Sequence, residues 1–107
     1  MRYYIVNRRI DETVVALLFH DPSNSYYFIK SKSEVFRRSF EASAKRTDLS
    51  FTRNSTSISY NLLDVSKPYW SKKALDKACG SNWYVSETED MDLLVTVDDI
   101  IDKHLEL

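Results

Sequence analysis

The chain has 107 residues, 43% hydrophobic and 29% charged, with a net charge of −1. That balance suits one globular domain (1–107) that buries a core without staples, and it excludes a disordered polyelectrolyte. A single cysteine excludes an internal disulfide framework, the longest apolar run of six residues is far too short to span a membrane, and a single glycine cannot build a phosphate-cradling loop or a dinucleotide fingerprint.

The first thirty residues hold three apolar runs: Tyr3-Tyr4-Ile5-Val6, Val14-Val15-Ala16-Leu17-Leu18-Phe19 and Tyr26-Tyr27-Phe28-Ile29. Each is short and rich in β-branched and aromatic side chains, which fit a pleated surface. Asp21-Pro22-Ser23-Asn24 between the second and third is turn chemistry. The pattern predicts a three-stranded antiparallel meander. Its second strand lacks apolar/polar alternation, so it should be central and covered on both faces.

Ser33 then caps an expected helix running to Arg46, with Val35, Phe36, Phe40 and Ala44 on one face. Glu34/Arg38 and Glu41/Lys45 form i,i+4 pairs in the favoured order, so much of this helix's positive charge has a carboxylate within reach. A polar stretch follows, in which Leu49 and Phe51 suggest a short strand ending at Arg53. Ile58-Ser59-Tyr60-Asn61-Leu62 alternates as a half-exposed strand.

Ser66-Lys67-Pro68 reads as a helix start and Gly80 as its C-terminal cap, with Trp70, Ala74, Leu75, Ala78 and Cys79 sharing a face. Asn82-Trp83-Tyr84-Val85 reads as a strand, and Glu87-Thr88-Glu89-Asp90 as an exposed acidic turn. Leu93-Leu94-Val95 fits either strand or helix. From Thr96, read as an N-cap, Val97, Ile100, Ile101, His104 and Leu105 recur at helical spacing. The chain therefore predicts an α+β fold: a largely antiparallel sheet begun by the N-terminal meander, with two or three helices packed on it.

Metal ligation and catalysis find little support. Cys79, His20 and His104 share no short ligand spacing, and the acidic run lacks the glycine of a calcium loop. Cys79 on an apolar helix face reads as a small buried hydrophobe, and His104 as a packed helix-end residue. His20 beside Asp21 is the one residue around which a small enzyme is conceivable. The expectation is a protein that is not an enzyme and needs no metal or cofactor.

Charge is unevenly spread. Residues 1–53 carry ten Lys/Arg against six Asp/Glu, a net +4, whereas residues 54–107 carry five against ten, a net −5. The basic half interleaves with aromatics, which makes a nucleic-acid-binding module the alternative reading. Its contacts would be Arg8, Arg9, Lys30, Lys32, Arg37, Arg38 and Arg53, with meander tyrosines as a stacking platform. A pI of about 6.1 weighs against it.

The leading expectation is a regulator, inhibitor or accessory protein acting by protein–protein interaction. Small glycine-poor chains of this kind suit virus- or plasmid-encoded accessory proteins. Tyr69, Trp70, Trp83 and Tyr84 are the expected anchors, with Glu87, Glu89, Asp90 and Asp92 drawing a partner with a basic surface. Homodimerisation through an edge or face of the meander is a further expectation. Without a basic-then-apolar leader, the expected location is the cytoplasm, where the Asn54-Ser55-Thr56 sequon would be accidental.

Overall fold

The computed structural model describes residues 2–21, 26–43, 49–53, 57–62 and 72–103. Six strands are assigned: β1 (Arg2–Arg8), β2 (Val14–Asp21), β3 (Tyr26–Lys30), β4 (Leu49–Arg53), β5 (Ser57–Leu62) and β6 (Trp83–Thr88). The helices are α1 (Glu34–Ser43), α2 (Lys72–Cys79) and α3 (Met91–Lys103). The strands form one sheet in the order β4-β5-β3-β2-β1-β6, and every neighbouring pair is antiparallel. The fold is α+β, and β1-β2-β3 is the expected meander.

The two-residue period of the strands sorts side chains onto two faces. Tyr4, Val6, Leu18, Tyr27, Ile29, Trp83 and Val85 point to one, where Phe36 and Phe40 of α1 and Leu75, Ala78 and Cys79 of α2 complete a core. Ile5 and Leu17 point to the other, beneath Leu94, Val97 and Ile101 of α3. Helices thus lie on both sides of the meander, which is why β2 needs no polar alternation. Its register with β1 slips between Val6 and Asn7, and Val15 and Ala16 both join the α1/α2 core at this bulge.

Local chemistry explains the helix ends. The Ser33 hydroxyl accepts the Phe36 N–H at 3.2 Å, as expected of an N-cap. Gly80 ends α2 at φ 76°, with open space where a Cβ would stand, so backbone conformation alone calls for glycine there. The Val85 N–H points away from β1 and donates to the Asp76 carboxylate of α2 at 3.3 Å. Asp76 also receives Lys72 at 3.0 Å. Part of the outer edge of β6 is therefore covered.

Four expectations need correction. α3 starts at Met91, not after Thr96: Asp90 accepts the Leu93 N–H at 3.1 Å, and the Thr96 hydroxyl instead bonds back to the Asp92 carbonyl inside the helix. Glu87 and Thr88 belong to β6 rather than to a turn. Val35 faces solvent, 61% exposed, while Phe36 and Phe40 alone bury α1. Neither edge of the meander is open to a second copy, because β1 pairs with β6 and β3 with β5. Pro22-Ser23-Asn24, residues 44–46, the sequon, the Ser66-Lys67-Pro68 start, Tyr69, Trp70, His104 and Leu105 lie outside the described residues.

Phe36 is fully buried and meets Trp83 edge-on at 5.4 Å between ring centroids. Phe36→Ala is expected to lower the unfolding free energy by about 3–5 kcal/mol. The neighbouring exposed Val35→Ala should change it by less than about 0.5 kcal/mol. Urea denaturation of the two variants checks the contrast.

Candidate functional site

The turn joining β1 to β2 is held from several directions. Arg8 N–H donates to the Thr13 carbonyl at 2.8 Å, Glu12 N–H to the Arg8 carbonyl at 2.7 Å, and Asn7 Nδ2 to the Glu12 carbonyl at 2.9 Å. The Asp11 carboxylate accepts the Thr13 N–H at 3.1 Å and the Arg8 guanidinium at 3.0 and 2.5 Å. Arg8 thereby holds the Asp11 carboxyl well below the usual carboxylate range. Glu12 adopts φ 60°, a left-handed conformation costing a non-glycine residue roughly 1–2 kcal/mol. The network keeps it there.

This turn projects Ile10, 89% exposed, into solvent. Beside it, the Arg9 N–H donates to the Asn82 carbonyl at 2.9 Å and its guanidinium lies 5.5 Å from the centre of the Tyr84 ring. A cleft of about 450 Å³ opens here, lined by Arg8, Arg9, Ile10, Val35, Ser81, Asn82 and Trp83. Its apolar lining is Ile10 and Val35, its polar lining is Arg8, Arg9, Ser81 and Asn82, and its buried wall is Trp83, 8% exposed and packed on Phe36. Arg, Trp and Tyr are the residues that most often anchor protein interfaces. Among the described lining residues no side chain is a histidine, cysteine or carboxylate. The cleft's chemistry is apolar contact, cation–π contact and hydrogen bonding by guanidinium and amide.

Several expected site residues meet here. Arg8 and Arg9, from the nucleic-acid reading, stand beside Trp83 and Tyr84, from the protein-binding reading, because the β1/β6 register sets Arg8 opposite Trp83 and Asn7 opposite Tyr84. Trp83 is principally core, with one side in the cleft. Ile10 and Val35 were not among the expected residues. Ile10 does carry a signal: it stands alone among Arg8, Arg9, Asp11 and Glu12, where a turn has no core reason for a large aliphatic side chain.

Of the other expected cations, Lys30, Lys32, Arg37 and Arg38 are spread out and engaged. Lys30 bonds Asp98 at 2.7 Å and Asp102 at 2.8 Å, tying β3 to α3. Burial disfavours its charge, yet the two carboxylates outweigh burial and raise its pKa. Lys32 donates to the Asp102 carbonyl, Arg37 to the Ser31 carbonyl, and Arg38 pairs with Glu34 at 2.5 Å. Arg53 belongs to β4, its side chain outside the described set. Tyr4 and Tyr27 are fully buried rather than an open stacking surface, and Tyr3 packs edge-on to Phe19 at 5.4 Å.

The acidic residues are solvent-facing: Glu87 on β6, Glu89 and Asp90 in the connection, and Asp92 in the first turn of α3. Asp98, Asp99 and Asp102 bring their carboxylates within 4.8 Å of one another. The Lys30 ammonium already supplies a cation to two of them.

His20 lies inside β2, between Arg2 of β1 and Tyr27 of β3, with its ring stacked on Tyr27 at 5.4 Å. Burial, then the charge of Arg2, lowers its pKa below the ordinary 6.5. A lowered value means that protonation favours the unfolded chain. Stability from this residue is therefore complete above pH 6.5 and is lost as pH falls below it. In a His104→Gln background, the thermal midpoint should decline on acidification below pH 6.5, and adding His20→Phe should flatten that decline.

The Cys79 thiol is pushed up to about 12, by burial first and then by the charge of Asp76. Native protein should react with a thiol-specific disulfide reagent at pH 8 only as fast as it opens, and fully once denatured. Compared with known proteins, the chain matches no family model, no curated protein and no solved structure.

Proposed function

We propose that this is a non-enzymatic binding protein, a regulator, inhibitor or accessory factor that works in the cytoplasm by docking onto another protein. The observation that carries this reading is the cleft at the β1–β2 turn. There Ile10 and Val35 stand exposed over the wall of Trp83, beside Arg8 and Arg9. Such a surface desolvates apolar area at its centre and orients the partner through its polar rim. No helix among the described residues is long and apolar enough to cross a membrane. The exposed run of Glu87, Glu89, Asp90 and Asp92 supplies a field that draws a basic partner surface and speeds its encounter.

The nucleic-acid alternative competes for the same Arg8 and Arg9, so one set of reagents separates the two. Affinity capture from the source cell should recover a protein on wild-type bait and lose it by about tenfold or more on Ile10→Asp bait. Fluorescence anisotropy with labelled single- and double-stranded DNA and RNA should show no salt-sensitive binding. Tight binding that falls steeply with salt and disappears in an Arg8→Ala/Arg9→Ala double variant would overturn the proposal.

A further inference from the structure

The helices on the two faces of the sheet are held to it by different means. α1 and α2 pack on one another and into one large core, where Phe36, Phe40, Leu75 and Cys79 are fully buried. α3 meets the opposite face along a single seam. Leu94, Val97 and Ile101, spaced i, i+3 and i+7, are buried over Ile5 and Leu17, with Tyr3, Val14 and Phe19 half-buried beside them. Every other residue of α3 stands exposed or half-exposed, and the two cores share no residue.

With so narrow a seam, the polar ties decide how firmly the helix is held. Asp98, Asp99 and Asp102 bring their carboxylates within 4.8 Å of one another. Asp102 also stands in the last turn of α3, where the macrodipole disfavours negative charge. Left to itself, this end of the helix repels itself. The Lys30 ammonium relieves it, at 2.7 Å from Asp98 and 2.8 Å from Asp102, and Lys32 donates to the Asp102 carbonyl. Both lysines stand on or just after β3, so the relief exists only while α3 is docked.

We propose that α3 is a latch: it leaves the sheet as one unit while the α1/α2 core stays folded, and the Lys30 ammonium sets how often it opens. Elements that move in folded proteins are drawn from such lightly attached units. Opening uncovers Ile5 and Leu17 together with Tyr3, Val14 and Phe19, an apolar strip of sheet. It also frees a helix whose outward side already carries Leu93, Val95 and Ile100. The latch stands apart from the cleft, which opens on the α1 side of the sheet, and does not rest on the reading of the cleft as a docking site.

Native-state hydrogen exchange at low, rising urea concentrations tests this, with the Cys79 thiol as the built-in reporter of the other core. Amides of Leu94–Ile101 should exchange at least about tenfold faster than those of Arg37–Phe40, and should accelerate together as urea rises. Lys30→Met keeps most of the side-chain stem and removes the ammonium. It should speed exchange in α3 by about a further tenfold and leave the rate of Cys79 labelling unchanged. Adding Asp98→Asn and Asp102→Asn should bring α3 back toward the wild-type rate, because nothing there then needs a cation.

If α3 exchanges at the rate of α1 at every urea concentration, the helix opens only with the whole molecule and the proposal is overturned. The wild-type series decides that point whatever Lys30→Met does to folding. Equal acceleration of Cys79 labelling and of α3 exchange in Lys30→Met also overturns it. So does a triple variant that exchanges as fast as Lys30→Met, since the ammonium would then not be what holds the latch.

Discussion

Burial of β2 on both faces is the constraint from which the rest of the architecture follows. A strand with Val15, Ala16, Leu17 and Leu18 in succession cannot turn either face to water without exposing large apolar area. One face is closed by α1 and α2, the other by α3. Closing the second face needs a helix from the far end of the chain, held by Leu94, Val97 and Ile101. The Lys30 ammonium between Asp98 and Asp102 adds direction to that packing. Apolar contact alone is non-directional, whereas one ammonium between two carboxylates fixes where the helix lies along β3.

The same ion pairs set the electrostatic character of the surface. The basic half would look like a polyanion-binding region if its side chains were free. Lys30, Lys32, Arg37, Arg38 and Arg8 instead serve α3, backbone carbonyls, Glu34 and Asp11. Their positive charge goes to structure before any partner arrives. Arg9, laid over Tyr84, is spent on shaping the rim of a cleft. On the proposed reading, recognition is a matter of a few apolar side chains in a charged frame, with fields guiding approach more than supplying affinity.

The meander, the Ser33 and Gly80 caps and the burial of Val97 and Ile101 were legible because each rests on a local rule: strand period, side-chain capping or helical spacing. Ile100, expected on the same stripe, is instead exposed. The start of α3 was not. Thr96 and Asp90 are both good caps, and only the turn after β6, where the Asp90 N–H is bonded by Thr88 Oγ1, decides for Asp90. Val35 was misplaced because its angular position suits the core of an isolated helix, whereas Phe36 and Phe40 alone meet the sheet. The cleft was half legible. Its arginines, Trp83 and Tyr84 were named for two different reasons, and nothing local shows that β1 and β6, some eighty residues apart, would lie side by side.

That separation has a consequence during synthesis. β1 to β3 emerge first and can pair at once, since their contacts are near in sequence. Trp83, Val85 and α3 are made after them. Until they leave the ribosome, the outer side of β1 has no neighbour, and Ile5 and Leu17 face water on a sticky, flat surface. The nascent chain must be shielded until β6 and α3 have been made, or it is exposed to pairing with its neighbours on the same message.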